Sequence, residues 1–588
     1  MKKKNMILKR TVTGLAASLL AVSMIFTGCG KSNSNSSSNN NVNNTTGGAV
    51  TSENVTTARP EPETSPRIEL EGEEVPAQLA NTLNVIDDKN RNYYEIFVGS
   101  FYDSNGDGMG DLQGVIQKLD YINDGDPNTD TDLGCNGIWL MPINPSPSYH
   151  KYDVKDYKAI DEQYGTMDDF KQLIEECNKR GITVIIDLVM NHSALGNQWF
   201  RDAVTYLKDL PDDKEPNTAE CKYVGYYTFV KGQAVGNYYQ AGSSAYYYEG
   251  MFSQQMPDLN LDNPDVRAEF EEIAKFWLDL GVGGFRLDAA KEYFSGQTDK
   301  NVEVLTWFNN YVKSVNPNAY IVAETWTPEF ARYLDSGIDS AFDFSYSGID
   351  GNLTFTARNS DPTYDGLYFA NCLLRTQENV LSHSTTAVQA PFLSNHDINR
   401  PAAFLAYGEE KIKFAHGLLS IMNGSPFIYY GDEIGLGGSG ADENKRSPMI
   451  WSGTDPTGQC TGPVNMKKDE VINKFASVEE QLQDPYSILN YVKHAMKLRN
   501  MFPEIARGTV ALVEEVTDTD ICAISKTYNG SKIIILANTN KAETKCVPLS
   551  RANNGYTCIQ GILTVGADQP YQVEDTIVLP PNAIVILK

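Results

Sequence analysis

The sequence predicts an α/β protein built on a (β/α)8 barrel, with an inserted subdomain after the third strand and a C-terminal all-β domain. Three observations carry this expectation. Eight short β-rich runs recur with helical stretches between them. Four of those runs end in ionisable residues just where the apolar pattern stops. After Phe502 the helical stretches give way to alternating strands, such as 522–526, 532–536, Thr576–Leu579 and Ile584–Leu587. Alternation alone also fits a doubly wound sheet, so the polar strand ends have to arbitrate.

The chain begins with a segment that is not part of the fold. Lys2, Lys3, Lys4, Lys9 and Arg10 precede an apolar stretch from Val12 to Phe26, which is short for a bilayer span and reads as an export signal. It ends in Phe26-Thr27-Gly28-Cys29, whose small residues resemble the cleavage box of bacterial lipoproteins. That resemblance implies a signal over residues 1–29, a lipidated Cys29, and a protein held outside the cell membrane by its lipid alone. Residues 30–82 are first Ser, Asn, Thr and Gly and then Glu and Pro, a composition that cannot offset its ordering entropy and reads as a disordered tether. Order is expected near Leu83.

The eight runs are 94–98, Gly137–Leu140, Thr183–Leu188, Gly284–Leu287, Tyr320–Ala323, 340–344, 389–393 and 427–430. They place the barrel in residues 83–192 and 257–502. The gap between them, 193–256, is rich in tyrosine and poor in helical periodicity, as an inserted domain would be, and 503–588 forms the all-β domain. The insert's aromatic residues could stack on sugar rings or serve as its core, and none is singled out as a site.

Composition narrows the function. With 41% apolar and 21% charged residues, the chain is neither collagen-like, nor wholly disordered, nor a multi-span membrane protein. Its 49 basic and 76 acidic residues leave a net charge of −27, which repels phosphate backbones, so no nucleic-acid partner is expected. Nine cysteines without a CxxC pair indicate free, buried thiols rather than a zinc site or a disulfide scaffold.

The polar strand ends carry the chemistry. Asp187-Leu-Val-Met-Asn191-His192 ends the third run and Arg286-Leu-Asp288-Ala289-Ala-Lys291 the fourth; Glu324-Thr-Trp326 follows the fifth and Asn395-His396-Asp397 the seventh. In a barrel these converge on the C-terminal face. Carboxylates gathered with an arginine and two histidines suit retaining glycoside hydrolysis, in which one carboxylate attacks and another shuttles the proton about 5 to 5.5 Å away.

With these four motifs, residues 90–588 resemble the α-amylase family of glycoside hydrolases. The resemblance implies that Asp288 is the nucleophile, Glu324 the general acid/base and Asp397 the transition-state stabiliser. It further implies that Arg286 holds Asp288 ionised, that Asp187 orients Arg286, and that His192 and His396 hydrogen-bond the sugar. Tyr152 resembles the tyrosine that stacks under that sugar, with His150 beside it, and Lys291 resembles the lysine that ends the fourth motif. Glu292 stands where many members have histidine, which leaves the leaving-group side open. The segment Met256-Pro-Asp258-Leu-Asn260 resembles a motif of neopullulanases and of members intermediate between them and oligo-1,6-glucosidases, whereas Ala289 resembles α-1,4-acting members. The implied function is hydrolysis of α-1,4-glucosidic bonds in starch and maltodextrins by a monomer. Debranching, pullulan cleavage and transglycosylation remain alternatives within the family. A surface starch-binding protein that had lost catalysis is the alternative of a different class, and the intact set Asp288, Glu324, Asp397 and Arg286 argues against it.

One further loop stands out. Asp103, Asn105, Asp107, Met109 and Asp111 recur at every second position, with glycines that let the backbone curl. Oxygen donors at this spacing suit Ca²⁺, although Gly114 replaces the glutamate that would complete an EF-hand. The family resemblance implies calcium held by Asp103, Asn105, Asp107, the Met109 carbonyl and Asp111.

Overall fold

The computed structural model describes residues 89–126, 129–232 and 235–588. The export signal, lipidated Cys29 and tether expected from the sequence therefore lie outside the described residues. No helix among the described residues is long and apolar enough to cross a membrane.

Eight parallel strands form the central sheet: β1 Tyr93–Ile96, β2 Gly137–Leu140, β3 Thr183–Leu188, β4 Gly284–Leu287, β5 Tyr320–Ala323, β6 Ser340–Asp343, β7 Ala390–Pro391 and β8 Phe427–Tyr429. They pair in the order β7-β6-β5-β4-β3-β2-β1-β8, and a parallel bridge between Phe392 and Phe427 closes the ring. The closed barrel resolves the choice that alternation left open. β7 is shorter than the run expected at 389–393, because Pro391 has no N–H to give a ladder. β1 ends before Val98, which turns into a short 3-10 helix.

Side chains alternate across each strand, so one parity points into the barrel and the other toward the helices. Tyr93, Trp139, Ile185, Tyr320, Val322, Phe342, Phe392 and Phe427 make the inner cluster. Their neighbours Tyr94, Ile138, Val184, Phe285 and Ile321 belong to the outer core under the helices. Tyr93 stacks on Phe427 at 4.7 Å and on Tyr320 at 5.2 Å between ring centroids, plugging one end of the barrel with aromatic rings. Gly284 opens β4 at φ +148°, where a Cβ would come within 1.9 Å of the Tyr320 carbonyl, so only glycine lets the two strands close there.

The stretch between β3 and β4 holds helix Gln198–Asp209 and a three-stranded antiparallel sheet, with Tyr246–Glu249 between Phe229–Lys231 and Tyr238–Gln240. Tyr226, Tyr227, Tyr246 and Tyr248 are buried there, so these tyrosines serve packing. Beyond Thr509 a five-stranded and a three-stranded antiparallel sheet follow. Strand Ser531–Asn538 shows why the larger sheet can bury both faces: Ile534 and Leu536 point into the core between the sheets, while Ile533, Ile535 and Ala537 join the barrel's outer core.

Candidate active site

The parity that fills the barrel floor with apolar rings places charged groups above it. Glu95 continues the inward side from Tyr93, and Asp187 continues it from Ile185. Arg286 sits between the outward Phe285 and Leu287, and one more inward step reaches Asp288 after β4 and Glu324 after β5. Asp187 and Arg286 are direct partners in the β3–β4 register.

One guanidinium ties these acids together. Arg286 Nη1 donates to Asp187 Oδ1 at 2.7 Å and to Asp288 Oδ1 at 2.6 Å, and Nη2 lies 2.8 Å from Glu324 Oε2. Arg286 is 1% exposed and stands over the Trp139 ring. The Ala289 amide adds a hydrogen bond to Glu324 Oε2 at 3.1 Å, from a residue at φ +48°. Three buried carboxylates therefore share one cation. Burial pushes the Glu324 carboxyl up to about 7; Arg286 opposes this and the Asp288 and Asp397 charges add to it. Burial likewise pushes Asp187 upward, against Arg286.

Asp397 has the opposite setting. His396 Nε2 lies 3.2 Å from its Oδ2 and Arg446 Nη2 lies 3.3 Å from its Oδ1. The Asp397 side chain is half exposed, and against what desolvation it suffers His396 and then Arg446 hold the carboxyl well below the usual range.

A cavity of about 660 Å³ brings Asp288, Glu324, Asp397, His150, Tyr152 and His192 to one surface. His192 Nε2 is buried there without a hydrogen-bond partner among the described residues, a polar atom available to a sugar hydroxyl. The Tyr152 amide donates to His150 Nδ1 at 3.1 Å, which fixes that ring at the rim. Other expected contacts lie behind the surface. His396 is 1% exposed, with its nitrogens engaged by Glu95 and by Tyr152 and Asp397. Asp187 is buried beneath Tyr152, whose hydroxyl donates to Asp187 Oδ2 at 3.1 Å. Lys291 pairs with Glu292 and lies 5.0 Å over the Trp326 ring, outside the cavity wall. The cavity also has walls that no motif announced: Phe252 from the insert, Phe344 and Ile398 from the barrel, and Asp442 and Arg446 after β8. Arg446 and Asp442 pair at 2.6 Å, and their four-residue spacing is the one signal the sequence offered.

The loop after β1 uses its oxygens locally. Asp103 accepts from the amides of Asn105, Gly106 and Gly108, and Asp111 from those of Ser104 and Gly114. Asn105 and Asp107 each accept from the amide two residues on. Burial pushes the neighbouring Cys460 thiol well up, and the charges of Asp103, Asp111 and Asp107 add to it. Among the described residues no three acidic, histidine or cysteine side chains converge as a ready-made metal cage. The all-oxygen set still suits a hard cation, since Asp103 Oδ2, Asp107 Oδ1 and Asp111 Oδ1 each accept one amide and keep a second lone pair.

The geometry agrees with comparison to known proteins. Residues 95–508 match the model of the α-amylase catalytic domain. The chain is 36% identical over 459 residues to Alpha-amylase 3 of Dictyoglomus thermophilum, covering 77% of this chain and 86% of that protein. It is 28% identical over 541 residues to an oligo-1,6-glucosidase of Parageobacillus thermoglucosidasius, covering 76% and 89%. Among solved structures, Amy13B of Eubacterium rectale superposes with a TM-score of 0.80 at 41% identity, covering 86% of this chain and 97% of that one. The α-amylase of H. orenii gives 0.72 at 33% identity, covering 85% and 99%. With its closed barrel, its carboxylates around Arg286 and this extended similarity, the chain belongs to the α-amylase family of glycoside hydrolases.

Proposed function

We propose that the enzyme hydrolyses α-1,4-glucosidic bonds of starch and maltodextrins with retention of configuration, through a covalent glycosyl-enzyme on Asp288. The observation that carries this is the Arg286 bridge, which places Asp288 and Glu324 on one guanidinium facing one cavity. In the first step Asp288 attacks the anomeric carbon while protonated Glu324 gives its proton to the departing oxygen. Glu324 then takes a proton from water, which attacks the same carbon and releases Asp288. A carboxyl held near 7 suits this double duty, because it is part protonated at neutral pH. Asp397, kept anionic between two cations, offers an acceptor for the sugar's hydroxyls.

Ala289 supports the α-1,4 assignment. Its left-handed backbone disfavours the β-branched valine common at this place in 1,6-acting members. Proton NMR of a fresh maltooligosaccharide digest should show the α-anomer first; initial β-anomer would refute retention. Cleavage of isomaltose or pullulan in preference to amylose would move the enzyme to the oligo-1,6-glucosidase or neopullulanase type, and new linkages among the products would mark a transglycosylase.

The reading extends to two features outside the chemistry. Asp103, Asn105, Asp107, the Met109 carbonyl and Asp111 would hold one Ca²⁺ that stabilises the loop and takes no part in the reaction. Cys29 would carry the lipid that keeps a monomer on the outer side of the cell membrane. Labelled palmitate should enter the parent and not Cys29→Ser; absence of label in the parent would remove the anchor.

A further inference from the structure

We propose that Glu95, on β1 and outside the four catalytic motifs, is a positioning residue whose buried carboxylate keeps His396 doubly protonated and thereby fixes Asp397 and Tyr152. The argument starts from hydrogen-bond direction. His396 Nδ1 lies 2.6 Å from Glu95 Oε1, and His396 Nε2 lies 3.2 Å from Asp397 Oδ2 and 2.8 Å from the Tyr152 hydroxyl. A neutral imidazole has one N–H and one lone pair. With its proton on Nδ1, that lone pair would face the Asp397 carboxylate. The single Tyr152 O–H proton goes to Asp187 Oδ2, so Nε2 has to donate to the Tyr152 oxygen while Nδ1 donates to Glu95, and only the imidazolium donates at both nitrogens.

Glu95 is equipped for this. It is 1% exposed, and its Oε2 has no hydrogen-bond partner among the described residues, so His396 is its counter-charge. The remaining donors then run in one direction. His396 Nε2–H serves the Tyr152 oxygen, with the Asp397 carboxylate in ion-pair range beside it, and the Tyr152 O–H passes on to Asp187 Oδ2 at 3.1 Å. Tyr152 also stacks on His396, with ring centroids 5.5 Å apart and planes at 19°. Glu95 thus supports the cavity floor through His396 without touching it.

The groups facing His396 are Glu95 from β1, Tyr152 after β2, Asp187 on β3, Glu324 after β5 and its neighbour Asp397. Trp139 packs edge-on against its ring, and Tyr429 of β8 lies opposite Glu95. Burial lowers the imidazole, but Asp397 and Glu95 outweigh it and raise it to about 10.

The inference deepens the proposed mechanism, and its first measurement needs no substrate, so it stands or falls apart from the linkage cleaved. Nitrogen NMR of histidine-labelled parent enzyme, with His396 identified by its loss in His396→Asn, should show both ring nitrogens protonated through pH 8. Glu95→Gln keeps an acceptor but removes the charge; the His396 midpoint should fall by about one pH unit or more. Its kcat/KM should fall about ten- to a hundredfold, the size of one buried charge-assisted bond. In the His396→Asn background Glu95→Gln should change kcat/KM by less than about twofold, since its effect passes through the lost ring. A parent His396 that titrates near the ordinary 6.5, or a Glu95→Gln effect that is undiminished without His396, would overturn the proposal. If Glu95→Gln does not fold, the parent titration decides alone.

Discussion

Two acid-rich regions follow the C-terminal ends of barrel strands and balance their charge in opposite ways. In the cavity, Asp187, Asp288 and Glu324 meet Arg286, and Asp397 meets His396 and Arg446. In the loop from Asp103 to Asp111, the carboxylates meet backbone amides, and among the described residues Asp103, Asp107 and Asp111 have no ion-pair partner. A cation built into the chain fixes geometry and proton affinity permanently, as catalysis needs. Amides curl a loop but leave its net charge standing, which an ion from solution can balance.

The comparison breaks most visibly at Glu324. Glu324→Gln should lose about 10² to 10⁴ in kcat while maltooligosaccharide binding persists, and Asp288→Asn should lose as much or more. Near-normal turnover in either would separate the cavity acids from the chemistry. In the parent, Glu324 must carry its proton in the first step and gives it up as pH rises through about 7, so kcat should decline about tenfold per pH unit well above that point. Glu324→Gln should lose this limb.

Removing the shared cation tests the balance directly. Arg286→Met leaves buried carboxylates unanswered and should cost about 3 to 5 kcal/mol of stability at neutral pH in urea unfolding. Asp187 and Glu324 are raised in the folded state, so that state binds more protons than the unfolded one and gains stability as pH falls. The variant, with no guanidinium to oppose that rise, should recover part of its loss between pH 7 and 5. A loss independent of pH would mean that packing, and not charge, explains Arg286.

The loop should respond to an ion that the cavity ignores. Calcium at about 100 times its dissociation constant adds about 2.7 kcal/mol, so EDTA should lower the melting temperature, and Asp107→Ala should abolish that sensitivity with kcat unchanged. An EDTA-indifferent parent would show that the amides alone suffice. The smallest effect is expected at Ala289, where valine at φ +48° should cost about 1 to 3 kcal/mol and shift the amide that reaches Glu324. Unchanged melting and turnover in Ala289→Val would show that the left-handed backbone imposes no choice there.

The strands, their order and the residues at their ends were legible in the chain, because strand periodicity and the residue at a strand's C-terminal end are local properties. β2 to β5 fall where the pattern puts them, and Asp288, Glu324 and Asp397 reach one cavity as their strand ends imply. Even the inward placement of Asp187 and Arg286 follows from counting by twos. Contacts between distant segments were not legible. Glu95 stood as one acid in an apolar strand, with nothing to say that its partner lies 301 residues away. Asp442 opens, and Arg446 caps, the short polar helix Asp442–Lys445, which looks like surface until the loop after β8 brings Arg446 to Asp397. Phe252 sat among tyrosines that proved to be core, and only the seat of the insert brought it to the cavity beside His192. Period and end residues act within a few positions of themselves, whereas counter-charges and cavity walls are chosen by which surfaces meet when the barrel closes.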